Sequence, residues 1–278
     1  MSDEAERIAR LALAEDGDTD VTSAVTVPAG QEAAGAIEYR SGGVLAGSAF
    51  ADAVARLCDC RIEWRAADGR ILSPGATVAH VRGSLRHLLR AERPLLNLLQ
   101  RASGIATATR AYVDAVAGTS CRILHTRKTA PGLRALDIAA VLAGGGAAHR
   151  ADLSHQVMVK DNHWQALRRG GGSLAAALAE AKGRGITSLQ VEVESPEQLE
   201  EACAAGATRL LVDNQSPATL RDWAARARGL RPGIEIEATG GVTLGTVRAY
   251  AEAGADFISI GALTHSVRAA DLALEVRG

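Results

Sequence analysis

From about residue 120 onward the chain repeats one pattern: a short apolar run, a polar or glycine-bearing turn, then a helical stretch. The apolar runs are CRILH, QVMVK, SLQVEVE, TRLLVDN, IEIEATGG and DFISIGAL, mostly about 20 to 35 residues apart. The helical stretches between them are LRALDIAAVLAG, SLAAALAEAKGRG, PEQLEEACAAG, PATLRDWAARARG and TLGTVRAYAEAG. Apolar strands that each lead into a helix build a parallel sheet buried on both faces. Six in succession favour a β/α barrel over an open doubly wound sheet. No G-x-G-x-x-G follows a first strand, which weakens a dinucleotide-binding fold.

The chain before this repeat reads differently. Residues 1–16 form one helix, with Asp3 and Glu6 spaced as a capping box, and DGDTDVTS follows as a polar loop. Residues 33–85 are short strands separated by turns at AADG and SPGA, with one helix from about Gly47 to Leu57. This is a small α+β unit. The segment SLRHLLRAERPLLNLLQRASGIATATRAYVDAVAG is helical, with interruptions expected at Pro94 and Gly104. The domains expected are 1–104 and 105–265, with the tail 266–278 a candidate to pack on the first.

Composition narrows the class. The 278 residues are 47% hydrophobic and only 3% aromatic, so the core must be Ala, Val, Leu and Ile. Lys and Arg number 31 against 32 Asp and Glu, a formal charge of -1, which gives no electrostatic case for nucleic acid or an anionic membrane. Among the four cysteines, Cys58 and Cys60 are too close for an ordinary metal pair, and no second pair completes a zinc site. They read as reduced, partly buried thiols. The start MSDEAERIARLALAED is an acidic helix and not a signal peptide. The run Ile138–Ala148 is too short to span a bilayer and holds three glycines. The expected location is the cytoplasm.

The polar residues gather where the strands end. They are Arg127-Lys128, Lys160, Glu194, Asp213, Thr239-Gly240-Gly241 and Gly261. At one strand this is only where a loop begins. In a barrel, all six ends open at one mouth, where active sites lie. Glu192 lies two residues before Glu194, so both leave the strand on one face. Arg127, Lys128, His149, Arg150 and Lys160 make the mouth cationic, with Glu192, Glu194 and Asp213 as an acidic corner. The Ala-Thr-Gly-Gly and Ile-Gly-Ala segments offer backbone N–H groups to a phosphate. Arginine suits a planar carboxylate, lysine a phosphate, and clustered carboxylates a Mg²⁺ partly bound through water. The combination calls for a multiply anionic organic acid beside a phosphorylated, Mg-bound second substrate. AGGGAAHR, residues 143–150, is either a helix cap and loop or a loop brought close to a ligand. His80, His87 and His155 read as surface or packing residues, and His163 as a group that orients Lys160 or caps the next helix.

The segments NLLQRASGIATATR, HTRKTAPGLR, GGGAAHR, VMVKDNH, VEVES, LLVDN, EATGGV and ISIGALTHS resemble the quinolinate phosphoribosyltransferase family. The resemblance runs from about Glu15 to Leu274. It implies an incomplete β/α barrel with an N-terminal α/β sandwich domain. It also implies a homodimer, or a higher even oligomer, whose sites lie across the interface. The implied reaction joins quinolinate to phosphoribosyl pyrophosphate with Mg²⁺, giving nicotinate mononucleotide, carbon dioxide and pyrophosphate in NAD biosynthesis. By motif, Arg127, His149, Arg150 and Lys160 line the quinolinate pocket, with Arg93 reaching in from the partner subunit. Lys128, Asp213 and Glu192 or Glu194 handle the ribose and the Mg-pyrophosphate. Thr239, Gly240, Gly241, Gly261 and His265 hold the 5-phosphate.

The chain departs from the family pattern at three places. Asp137-Ile138-Ala139 stands where Glu-Lys-Tyr is frequent, Ala148 where Asn or Ser precedes the His-Arg pair, and His125 where Asp is frequent. These departures put the acceptor in question more than the fold. They leave open a paralog of the molybdenum-transport-associated type that takes a different aromatic acid. Two further classes compete: an aldolase-like barrel with Lys160 as a Schiff-base amine, and a non-catalytic sugar-phosphate binder. The first leaves Arg93, Arg127 and Arg150 idle, and the second leaves Lys128 and the acids idle.

Overall fold

A computed structural model describes residues 2–154 and 156–277, so His155 lies outside the described residues. Chain order begins α1 (Ser2–Glu15), α2 (Val21–Thr26), β1 (Glu32–Tyr39), β2 (Gly43–Val44), α3 (Ser48–Leu57), β3 (Arg61–Trp64), β4 (Ile71–Leu72), β5 (Ala76–Ser84) and α4 (Leu85–Ala115). It continues β6 (Arg122–Leu124), α5 (Arg134–Ala143), β7 (Val157–Val159), α6 (Asp161–Arg169), α7 (Leu174–Gly183), β8 (Leu189–Val193), α8 (Pro196–Ala205) and β9 (Arg209–Asp213). It ends α9 (Pro217–Leu230), β10 (Glu235–Thr239), α10 (Val247–Glu252), β11 (Phe257–Ser259), α11 (Ala262–His265) and β12 (Leu272–Arg277). Two compact units result, one from 1–110, 128–146 and 262–278, the other from 111–127 and 147–261.

The first unit holds a four-stranded antiparallel sheet in the order β12-β1-β5-β3. The tail enters it as an edge strand, with Ile37 opposite Leu274. Ile8, Ile37, Tyr39, Leu45 and Val78 are fully buried in the core. Helix α1 begins at Ser2, so Asp3 lies inside the first turn rather than at the cap, and Glu6 pairs with Arg10. The helix thus starts one residue before the cap position expected at Asp3. The loop expected at residues 16–23 is cut short by α2, whose N-cap Asp20 accepts the Ser23 N–H.

The expected breaks at Pro94 and Gly104 do not occur; α4 runs unbroken for 31 residues. An internal proline costs about 3 kcal/mol. Against that, Leu88, Leu95, Leu96, Leu98 and Leu99 are buried along the same helix, each contributing about 1.5–3 kcal/mol. Tertiary burial therefore outweighs the local penalty. Gly104 has a packing reason: a Cβ there would lie 2.2 Å from the Arg268 carbonyl oxygen.

The second unit holds a six-stranded sheet in the order β6-β11-β10-β9-β8-β7, with parallel pairing at each step. Its two ends are β6 and β7, so the barrel is incomplete. All five residues of β8 are buried, as expected of a strand covered on both faces. Helices α7, α8, α9 and α10 lie side by side outside it. The Ser-Pro pairs set two of these helices. Ser195 accepts the Gln198 N–H and Ser216 the Thr219 N–H, while Pro196 and Pro217 take the first turn. Helix α6 was not expected from the sequence, because KDNHWQALRR lacks an aliphatic stripe. Among its described residues Trp164 is the buried one, donating its indole N–H to the Glu192 carbonyl at 2.8 Å.

Gly104→Ala should lower the unfolding free energy by about 1–3 kcal/mol in a urea titration. An unchanged midpoint would mean that the 266–270 segment does not sit against α4.

Candidate active site

Strand register places the polar side chains of the second unit. Glu192 is opposite Leu211, which is opposite Glu237, and Asp213 is opposite Thr239. Residues in register on parallel strands share a face, so one face of the sheet carries Gln190, Glu192, Arg209, Asp213, Glu237 and Thr239.

Glu192, Glu194 and Asp213 come together as expected. One carboxylate oxygen from each lies within 4.8 Å of the others. Glu192 is buried and Glu194 exposed, because β8 ends at Val193 and only Glu192 stays under the sheet edge. Lys160 Nζ donates to Glu192, so the lysine is already tied to the acidic corner. Of the two roles open to His163, the structure shows the cap: its Nδ1 accepts the Lys160 N–H at 3.0 Å at the start of α6. An amine bonded to a carboxylate is poorly placed as a Schiff-base nucleophile.

Asn214 has φ 52 and donates from Nδ2 to Asp213 Oδ2 at 2.6 Å. Gly240, at φ 80, lies against this pair; a Cβ there would be 2.3 Å from Asn214 Oδ1. Only glycine fits both the backbone and the space. Thr239 and Gly241 flank it, and Gly261 follows β11.

Arg127 and Arg150 are brought near each other. Burial, then the Arg127 charge, lowers the Arg150 pKa, and Glu237 opposes the change. Two guanidinium groups in mutual repulsion at a strand end make a ready anion site. Arg150 follows His149, whose Nδ1 accepts the Arg150 N–H at 2.8 Å. The His149 side chain is 6% exposed. Among the described residues its Nε2 has no aligned hydrogen-bond partner, although Glu237 Oε2 lies 3.3 Å away. His125 is buried, and its Nε2 accepts the His149 N–H at 2.9 Å. That fixes His125 as the tautomer protonated on Nδ1, which faces the Thr126 carbonyl oxygen at 3.3 Å.

Glu237 was missed in the sequence. Its side chain is 1% exposed, and Arg209 Nη1 donates to it at 3.0 Å. Arg209 also binds Glu235 at 2.8 Å and lies 3.9 Å over the Phe257 ring. Burial alone would raise the Glu237 carboxyl; the His149 contact and then Arg209 outweigh it and hold the group below the usual carboxylate range. The signal was the alternation in IEIEAT, which puts Glu237 two residues before Thr239 on the same face.

The first unit carries Lys128, His265 and Arg93. The Lys128 side chain is exposed, and its carbonyl accepts the Thr264 hydroxyl at 2.9 Å. His265 ends α11, and its Nδ1 is 2.7 Å from Ser266 Oγ. Arg93 projects from α4 with 61% of its side chain exposed, 3.9 Å from Glu92. The triple glycine closes α5: Gly144 donates to the Ala140 carbonyl and Gly146 to that of Val141. All four cysteines are free and buried, and burial pushes Cys60 and Cys121 up to about 12, so they remain protonated thiols.

Comparison with known proteins gives the family. The model of the quinolinate phosphoribosyl transferase N-terminal domain matches residues 20–103, and that of the C-terminal domain matches 105–275. The chain belongs to the quinolinate phosphoribosyl transferase family. It is 41% identical over 263 residues to the nicotinate-nucleotide pyrophosphorylase [carboxylating] of Mycobacterium leprae (strain TN), covering 92% of this chain and 91% of that protein. The Homo sapiens protein of the same name is 40% identical over 245 residues, 87% of this chain and 81% of its own. A solved structure of the nicotinate-nucleotide pyrophosphorylase from Francisella tularensis superposes with a TM-score of 0.91 at 32% identity, over 100% of this chain and 97% of that one. The incomplete barrel is thus the architecture of this transferase family.

Replacing Glu237 by Gln should remove about 3–5 kcal/mol of stability at neutral pH, because Arg209 and His149 keep their buried positions without an anion. The folded-state pKa of Glu237 is depressed, so its contribution is present above the unfolded value and lost as pH falls through the folded one. Denaturation of the parent should show a falling acid limb below the usual carboxylate range, flattened in Glu237→Gln. Equal acid limbs would contradict the ionised, paired state.

Proposed function

We propose that this family member transfers the phosphoribosyl group of phosphoribosyl pyrophosphate to the ring nitrogen of quinolinate, releasing pyrophosphate, and then expels the 2-carboxylate as carbon dioxide. The product is nicotinate mononucleotide, a step of NAD biosynthesis. The observation that supports this is a trio of clustered strand-end carboxylates in the same unit that holds Arg127 and Arg150, two arginines close enough to act on each other's charge. Two fixed guanidinium groups suit a ring with two carboxylates. The acids suit a sugar carbon that becomes cation-like as its leaving group departs.

The chemistry follows from charge. Arg127 and Arg150 take the carboxylates of quinolinate and replace their lost water. Bond formation at the ring nitrogen makes the pyridine cationic. The C–C bond electrons of the departing carboxylate then flow towards that nitrogen, and the ring carbon left behind takes up one proton. Lys160, held by Glu192, stands between the acceptor and the acidic corner in this scheme. Thr239, Gly240, Gly241 and Gly261 offer the turn for the 5-phosphate, and Lys128 and His265 keep the phosphate roles the resemblance gives them. Glu192, Glu194 and Asp213 present only hard oxygen donors, which fit Mg²⁺. Bound there, the ion would neutralise the pyrophosphate charge as it leaves.

The same proposal includes a dimer with Arg93 acting across the interface, and work in the cytoplasm. Among the described residues no helix is long and apolar enough to cross a membrane. Two of the departures from the family pattern, His125 and Asp137, are buried and bonded internally, which supports quinolinate as the acceptor.

The test is an assay of pyrophosphate and nicotinate mononucleotide with quinolinate, and in parallel with nicotinate, which lacks the 2-carboxylate. Turnover with quinolinate alone is expected. Arg127→Ala should lose about 2–5 kcal/mol of transition-state binding, roughly thirty- to several-thousand-fold in kcat/KM. Full activity in that variant would contradict the assignment of Arg127.

A further inference from the structure

Asp137 lies on α5 with its side chain 0% exposed. Its Oδ1 accepts Arg101 Nε at 2.8 Å, and its Oδ2 accepts Arg101 Nη2 at 2.8 Å. The same Oδ2 accepts the Ala130 N–H at 3.0 Å. This is a two-pronged arginine–carboxylate pair with a backbone donor added, a strong and geometrically specific arrangement. Arg101 Nη2 also donates to the Thr264 carbonyl at 3.0 Å, and the Thr264 hydroxyl donates to the Lys128 carbonyl at 2.9 Å. The bonds close a circuit through Asp137, Arg101, Thr264, Lys128 and Ala130.

What hangs from the circuit is short and irregular. Residues 125–133 hold neither helix nor strand, and α11 has four residues. Neither piece has a ladder of its own to fix its backbone. The pair instead ties Ala130 directly, and Thr264 directly, and Thr264 ties Lys128. The residues at these ties are Lys128 itself and His265, the neighbour of Thr264.

We propose that the Arg101–Asp137 pair is a positioning clasp that sets the backbone of Lys128 and of His265 relative to one another, and thereby the spacing of the groups that hold phosphate oxygens. This rests on the phosphate roles given to those two residues above. Asp137, a departure from the family pattern at the sequence level, thus belongs to the phosphate half of the chemistry and not to the choice of aromatic acid. Only an arginine serves, since it must span two carboxylate oxygens and a carbonyl in one plane.

The mildest test is Thr264→Val, which keeps side-chain volume and removes the bond to Lys128; Thr264→Ser restores the hydroxyl. Arg101→Lys keeps the charge and loses the fork. In Thr264→Val and Arg101→Lys, KM for phosphoribosyl pyrophosphate should rise about ten-fold or more, while KM for quinolinate stays within about three-fold of the parent. Thr264→Ser should return to the parent value. Titration calorimetry with pyrophosphate and Mg²⁺ alone should show the same loss of affinity, without any turnover. If the thermal midpoint of Thr264→Val drops while its KM for phosphoribosyl pyrophosphate and its pyrophosphate affinity hold within about two-fold, the clasp is structural only and the proposal fails. A parent protein that turns over no quinolinate, yet loses pyrophosphate affinity on Thr264→Val, would overturn the assigned reaction and support the clasp.

Discussion

A charge buried inside the six-stranded sheet is the constraint on which the rest of the site depends. Glu237 has almost no contact with solvent, so it persists as a carboxylate only because Arg209 and His149 stand against it. Arg209 in turn is held from below by Glu235 and by the Phe257 ring. His149 carries the consequence outward, because its other ring nitrogen accepts the N–H of Arg150. The chain of contacts runs from Arg209 through Glu237 and His149 to the backbone of Arg150. The backbone at Arg150 is therefore tied to the interior of the sheet.

The sheet also decides where opposite charges can coexist. Parallel pairing puts Asp213 beside Thr239 and the end of β8 beside β9, so carboxylates gather on one side of the rim. Arg127 and Arg150 come from the chain after β6 and from the segment that leads to β7, the two open edges of the sheet. Lys160 is a cation on the acidic side, bonded to Glu192. The proposed reaction assigns the cations to a dicarboxylate acceptor and the hard oxygen donors to a metal ion on a pyrophosphate-bearing donor.

Much of this was legible in the chain because parallel strands announce themselves. VMV, LQVEV, RLLVD and EIEAT are short, apolar and bounded by polar turns, and each appears as a strand. The polar strand ends followed from that alone. The residues that escaped notice act through contacts distant in sequence. Glu237 reads as one more charge in an alternating strand until Arg209 and His149 close on it, 28 and 88 positions away. Asp137 reads as a departure near a pocket, yet it turns inward to Arg101, 36 positions earlier. Pro94 and Gly104 carry strong local signals that were overruled, since the buried leucines of α4 and the approach of Arg268 outweigh local preference.

The most direct measurement is a crystal structure of the protein soaked with quinolinate in the absence of phosphoribosyl pyrophosphate. The ring should lie with its carboxylate oxygens about 2.7–2.9 Å from guanidinium nitrogens of Arg127 and Arg150, its ring nitrogen turned towards the Glu192, Glu194 and Asp213 side. Quinolinate bound away from both arginines, or both arginines turned to solvent in a well-occupied complex, would contradict the assignment of the site.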